Sequence, residues 1–219
     1  MGIVAGMSGE LRGGIIGDMQ IKLIEDSNNK VGKHDLKNAW WSLNGYKVVR
    51  CRLPVGDYVL ANEKIEDVFE RKAKRGIPTK MLDFLGTYDV CVDVKNSVNE
   101  LCQDIQQDHA RFKDELVLAQ NNGIKLYILV ENKGTYLNSK KTIWNENVTC
   151  IQDLFKWKNP RAFIFRHGQQ LYPNCAKGEW IAKCCITMEK KYGCKFVFCK
   201  PDEAAELIVK ILQGEYKDA

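Results

Sequence analysis

Residues 88–95 read Tyr88-Asp89-Val90-Cys91-Val92-Asp93-Val94-Lys95. Alternation puts Val90, Val92 and Val94 on one face of a strand and Cys91, Asp93 and Lys95 on the other. Two charged groups on so apolar a segment mark a core strand that carries chemistry rather than a solvated edge. Asp93 and Lys95 would stand about 7 Å apart on one face. Gly56-Asp57-Tyr58 brings a second acid from an earlier strand. Phosphodiester hydrolysis needs a cation to neutralise the phosphate and acidify water, plus a group that orients the water. Mg²⁺ is content with one or two carboxylates, a carbonyl and retained waters. Asp57 and Asp93 are therefore the candidate ligands for Mg²⁺, with Mn²⁺ as a substitute and the Val94 carbonyl in reach. Lys95 is the candidate to orient or activate the water. A D-x-K triplet alone more often marks a solvated strand face; the apolar strand and Asp57 shift the balance.

Working outward, Ile21–Ile24 reads as a strand ending on Glu25 and Asp26. Asp26, at the same sheet end, is an additional metal-ligand candidate, against the alternative of a turn or N-cap residue. From His34 to Asn44 the spacing of Leu36, Ala39, Trp40 and Leu43 predicts a helix with those residues inward and Trp41 outward. Val48 to Leu60 reads as one or two strands, irregular at Pro54 and Gly56. Residues 61–86 are expected to be an inserted hairpin or loop, whose Arg71, Lys72, Lys74 and Arg75 are candidates for DNA phosphate contact. Their bland alternative is a solvated loop.

Beyond Lys95 a long helical pattern covers Ser97 to Asn121, with an interruption expected at Asp108-His109. Arg111 on it could contact a phosphate or pair with Glu115 one turn on. Ile124–Val130 is a core strand, and Glu131 to Gly178 is loop-rich with a short helical piece at Ile151–Trp157. A helix over Glu179–Tyr192, a strand over Lys195–Cys199 and a helix opened by Pro201 complete an α/β sheet covered on both faces.

With 219 residues, 45% hydrophobic and 28% charged, the chain fits one domain, taken as residues 19–215 after a flexible tail at 1–18, with insertions at about 61–86 and 132–178. A net charge of +5 agrees with a polyanionic partner without requiring one. Nine cysteines, an odd number mostly in apolar runs, read as reduced thiols of a cytoplasmic protein. Their spacing lacks the C-x2-C pattern of a zinc site. No run of about 18 apolar residues suggests a membrane span.

At these residues the chain resembles the XPF-type nuclease domain of the PD-(D/E)xK superfamily, with its GD, then ERK, then D signature. Gly56-Asp57 matches GD, and Asp93-Val94-Lys95 stands where the family has ERK, with valine for arginine. Arg111-Phe112-Lys113-Asp114-Glu115 resembles the family's G-R-(F/L)-x-x-Q stretch, and the likeness runs from about residue 21 to 213. Stand-alone phage and prophage relatives share the lead into Lys95 and the Asn159-Pro160-Arg161 segment. The resemblance implies a restriction-endonuclease-like fold and Mg²⁺-dependent cleavage of branched, flapped or forked DNA, as in repair or recombination. Glu70-Arg71-Lys72 spells the motif better but lies among dense charges and lacks the strand alternation and the following helix, so it ranks second.

Several positions depart from the family pattern. The family's first strand ends in D-x-R-E, where this chain reads Asp26-Ser27-Asn28-Asn29 and keeps only the first acid, and Asn99 falls on the signature's last D unless Glu100 serves instead. These departures motivate the alternative of a non-catalytic DNA-binding or scaffold protein on the same fold. The usual helix-hairpin-helix module is not expected, which leaves a homodimer without its customary support.

Overall fold

The structure, a computed structural model, describes residues 15, 16, 19–30, 32–133, 135, 136, 143, 144 and 147–217. Most of the tail expected at 1–18 and part of the segment 132–178 lie outside these residues. The central sheet has six strands: β1 (Lys22–Asp26), β2 (Lys47–Cys51), β3 (Tyr58–Leu60), β4 (Val90–Lys95), β5 (Lys125–Glu131) and β6 (Lys195–Cys199). Their spatial order is β6-β5-β4-β3-β1-β2. Strands β4, β5 and β6 run parallel, β1 and β2 run parallel, and β3 lies antiparallel between the two groups. The start of β3 and the ends of the other five strands therefore share one sheet edge, which collects Asp57, Asp93, Lys95 and Asp26.

Seven helices are described: α1 (Asp35–Leu43), α2 (Glu63–Lys74), α3 (Val98–Gln106), α4 (His109–Asn121), α5 (Ile151–Leu154), α6 (Gly178–Tyr192) and α7 (Ala204–Leu212). On one sheet face Cys91, Leu126, Ile128 and Val130 pack with Leu101, Ile105, Phe112, Leu116 and Ile181 of α3, α4 and α6. On the other, Val92, Val94 and Leu129 meet Trp41 of α1 and Ile208 and Ile211 of α7. The alternation read from residues 88–95 holds, and the fold is α/β with helices on both faces. The interruption expected at Asp108-His109 separates α3 from α4. No described helix is long and apolar enough to cross a membrane.

Two expectations are corrected. Residues 61–86 contain α2, not a hairpin or loop. Asn62 caps it by accepting the Ile65 N–H at 3.0 Å, Ile65 and Val68 are buried, and acids in the first turn and bases in the last complement the helix dipole. Its high charge density hides that short apolar stripe. The second correction is the rotation of α1: Leu36 and Leu43 are 77% and 87% exposed, while His34, Lys37 and Trp41 face inward. The Trp41 ring lies edge-on to Tyr58 with centroids 5.0 Å apart, and its Nε1 donates to the Ala205 carbonyl at 3.0 Å. Lys37 is tolerated there because Glu131, wholly buried at the end of β5, accepts its ammonium. Glu131 also pairs with Lys133 at 2.9 Å. It faces away from the cleft.

Candidate active site

A cleft of about 400 Å³ opens at the common strand edge between α3, α4 and the β2–β3 connection. Gly56 shapes its floor. Its φ of +76° lies in the left-handed region, and a Cβ there would come within 3.0 Å of Cys91 Cβ and Sγ. The turn presses the next residue, Asp57, against β4. One Asp57 oxygen accepts the Val94 N–H at 2.9 Å, and the other accepts the Asn29 side-chain amide at 3.0 Å. The family arginine would have no place at Val94, whose side chain is buried against α7 on the far face.

Asp93 and Lys95 are buried on the cleft face, as the alternation requires. The Lys95 Nζ lies 2.8 Å from Asp93 Oδ2 and 2.7 Å from Asp104 Oδ2. It also sits 5.3 Å from the centre of the Phe112 ring. Burial opposes the ammonium charge, but Asp93 and Asp104 outweigh it and hold the Lys95 pKa above its usual range. Arg111 lines the cleft with a largely exposed side chain. Its partner is Asp104 Oδ1 at 3.1 Å, not the Glu115 expected one turn on.

Glu115 turns into the cleft instead and accepts the Gly56 N–H at 3.0 Å. Burial, reinforced by Asp93, pushes its pKa up to about 7. The same two causes push Asp57 up to about 6. Asp104 and Glu115 are functional candidates that the sequence reading passed over. The available signal was helical spacing: Glu100 and Asp104 stand four apart on α3, and Arg111 and Glu115 four apart on α4. Glu100 lines the cleft and Asn99 does not.

Asp26 also lines the cleft, but its Oδ1 accepts the Leu53 N–H at 3.1 Å and lies 4.0 Å from Arg52 Nε. Arg71, Lys72 and Lys74 are on α2 and Arg75 is its C-cap, and none of them lines the cleft. Lys72 pairs with Asp83 at 2.7 Å and Lys74 with Glu70 at 3.1 Å. The rival triplet Glu70-Arg71-Lys72 is thus helical and remote from the cleft.

A family model for the ERCC4 domain matches residues 27–211. The chain belongs to the ERCC4 domain family. The match takes in both corrected helices and every cleft-lining residue except Asp26. Among solved structures, XPF from Aeropyrum pernix in complex with DNA is similar in outline, at 12% identity and a TM-score of 0.46. That similarity covers 88% of this chain and 64% of the other, so the ERCC4 domain described here spans less than two thirds of that protein. No curated protein matches the chain.

Among the described residues no three His, Cys, Asp or Glu side chains converge as a ready metal cage. Mg²⁺ does not demand one, since it commonly binds through one or two carboxylates. The cleft offers hard oxygen donors: the carboxylates of Asp57, Asp93, Asp104 and Glu115 all line it. That donor set suits a divalent cation at Asp57 and Asp93.

Proposed function

We propose that this ERCC4 domain is a metal-dependent DNA endonuclease acting on branched or distorted duplex, built as a single domain over residues 19–215. The observation that carries the reading is the convergence of Asp57, Asp93 and Lys95 at the lip of one cleft, from two adjacent antiparallel strands tied by the Val94 N–H. Asp57 and Asp93 would hold the cation, Mg²⁺ or Mn²⁺, with Asp26 assisting from the end of β1. The chemistry such a cation supplies is acidification of water and neutralisation of the scissile phosphate. Lys95, kept charged by its two carboxylates, orients the attacking water and steadies the phosphate; it is a poor proton acceptor. Arg111, projecting from the cleft wall, contacts a phosphate of the bound strand. Arg71, Lys72, Lys74 and Arg75 provide a basic helix for more distant DNA backbone. A cytoplasmic role on DNA belongs to the same reading.

The test is a panel of end-labelled flaps, forks, junctions and plain duplex, incubated with and without Mg²⁺ or Mn²⁺. Wild type is expected to cut at least one branched substrate only when the cation is present. Asp93→Ala and Lys95→Ala are expected to lose at least a hundredfold of that rate, on the order of what removing one positioned electrostatic group costs, while still binding DNA. Salt-dependent binding without cleavage across the panel in either metal would assign the fold to the non-catalytic alternative.

A further inference from the structure

Behind the cleft wall lies a second cavity, of about 270 Å³. Helix α3 separates the two. Glu100 and Asp104 line the cleft, while Asn99, Gln103 and Gln106, at i, i+4 and i+7, line the cavity. Its opposite wall comes from the segment after α5, through Arg161 and Tyr172. The Arg161 guanidinium carbon lies 5.4 Å from the Tyr172 ring centre. Asn99 Oδ1 is buried with no hydrogen-bond partner. An unsatisfied buried acceptor is costly, and a ligand N–H would relieve it.

The stretch of chain from α5 to the start of α6, which supplies that wall through Tyr172, has an unusual makeup. Phe155, Phe163, Phe165, Tyr172 and Trp180 are each 43% to 61% exposed. Between Asp153 and Glu179 the chain holds five Lys or Arg and no acid. The segment is nonetheless well braced. Phe165–Arg166 pairs with Gln169–Gln170 across a tight turn, in which His167 and Gly168 both have positive φ. Asn159 donates to the Ala176 carbonyl at 3.1 Å and accepts the Arg161 N–H at 3.0 Å. Gly178 allows α5 and α6 to touch through backbone, since a Cβ there would come 2.1 Å from the Leu154 carbonyl oxygen. Exposed aromatic rings on a braced, acid-free cationic segment suit unpaired bases, whose faces stack on aromatics while the cations follow the phosphates.

We propose that the cavity between α3 and the Arg161–Tyr172 wall is a nucleobase pocket, and that the exposed aromatics on the chain from α5 to the start of α6 bind an unpaired DNA strand leading away from the cleft. The amides of Asn99, Gln103 and Gln106 pair with the edge of one base, as amides read bases elsewhere. The Arg161–Tyr172 pair offers that base a stacking face. The cavity is smaller than the roughly 300–1,000 Å³ of drug-sized sites, which suits a single heterocycle. A helix of about 10 Å diameter parts pocket from cleft, so a strand held in the pocket lies directly beside the cutting site. The inference rests on the DNA-binding part of the proposed function and deepens it by naming the recognised element.

The test is fluorescence anisotropy in EDTA with a short labelled oligothymidylate, the same length of abasic strand, and a blunt duplex. Wild type is expected to bind the base-bearing strand about tenfold or more tightly than the abasic one. Tyr172→Ala and Arg161→Ala should each cut that preference by about threefold or more without changing duplex binding, and Tyr172→Phe should retain it. Equal affinity of wild type for abasic and base-bearing strands would overturn the pocket. So would equal weakening of strand and duplex by Tyr172→Ala, or Tyr172→Phe behaving as Tyr172→Ala. Because no cleavage is measured, a base preference without Mg²⁺-dependent cutting would sink only the nuclease reading, and cutting without a base preference only the pocket.

Discussion

At Glu115 a single carboxyl joins electrostatics to stability. Its pKa is raised from 4.5 to about 7, so the folded state holds a proton that the unfolded chain has already lost. That favourable protonation is fully present below about pH 4.5 and is lost as pH rises through 7. Glu115→Gln should therefore be more stable than wild type at pH 8 in EDTA, by about 1–2 kcal/mol once partial exposure is discounted. The difference should vanish at pH 4.5. Thermal unfolding at the two pH values checks this, and taking the difference between variants cancels other titrating groups such as His34. Mg²⁺ should narrow the gap at pH 8 by binding the ionised wild-type site. Of this cleft, Asp93 and Lys95 were legible because a strand advertises its faces by simple alternation, and Asp57 because it follows a glycine at the head of an earlier strand. Asp104 and Glu115 were not, since a surface acid and an inward acid look alike on a helix until its rotation is known.

Rotation is the weak point for whole elements too. The stripe Leu36, Ala39, Trp40 and Leu43 satisfies helical periodicity, yet α1 buries Lys37 and Trp41, with its N-cap His34 buried as well. One tryptophan wedged against Tyr58 and α7, with a lysine neutralised by a distant glutamate, outweighs two leucines at the rim. That glutamate is 94 residues away in sequence, so no local pattern announces it. Lys37→Ala should cost about 3–5 kcal/mol, because it strips a buried carboxylate of one of its two cations. Leu36→Ala should cost less than about 0.5 kcal/mol, as is usual for an exposed site. Urea unfolding of both variants decides which face is the buried one. Helix α2 shows the opposite error: charge at eight of its twelve positions concealed a capped and dipole-matched helix.

For the molecule as a whole, the order of elements and the two-faced α/β sheet followed from periodicity, because each long strand is apolar enough to declare itself. The strand order did not, since pairings such as β5 with β6 join residues about 70 apart in the chain. The sheet proves to be two parallel groups sutured by β3, only three residues long and matched to β4 at the single position Tyr58↔Val92. So slender a joint is where a cooperative unit should part first. Amide hydrogen exchange is expected to be faster at Tyr58, Val59 and Leu60 than at Leu126–Val130, and to slow at β3 when Mg²⁺ is added. Protection as high in β3 as in β5 without the cation would refute the weak suture. Since the joint carries Asp57 on one side and Asp93 on the other, opening it would separate the two acids. The cation would then act as a rivet as well as a reagent, and catalytic competence would register how tightly the two halves of the protein are fastened.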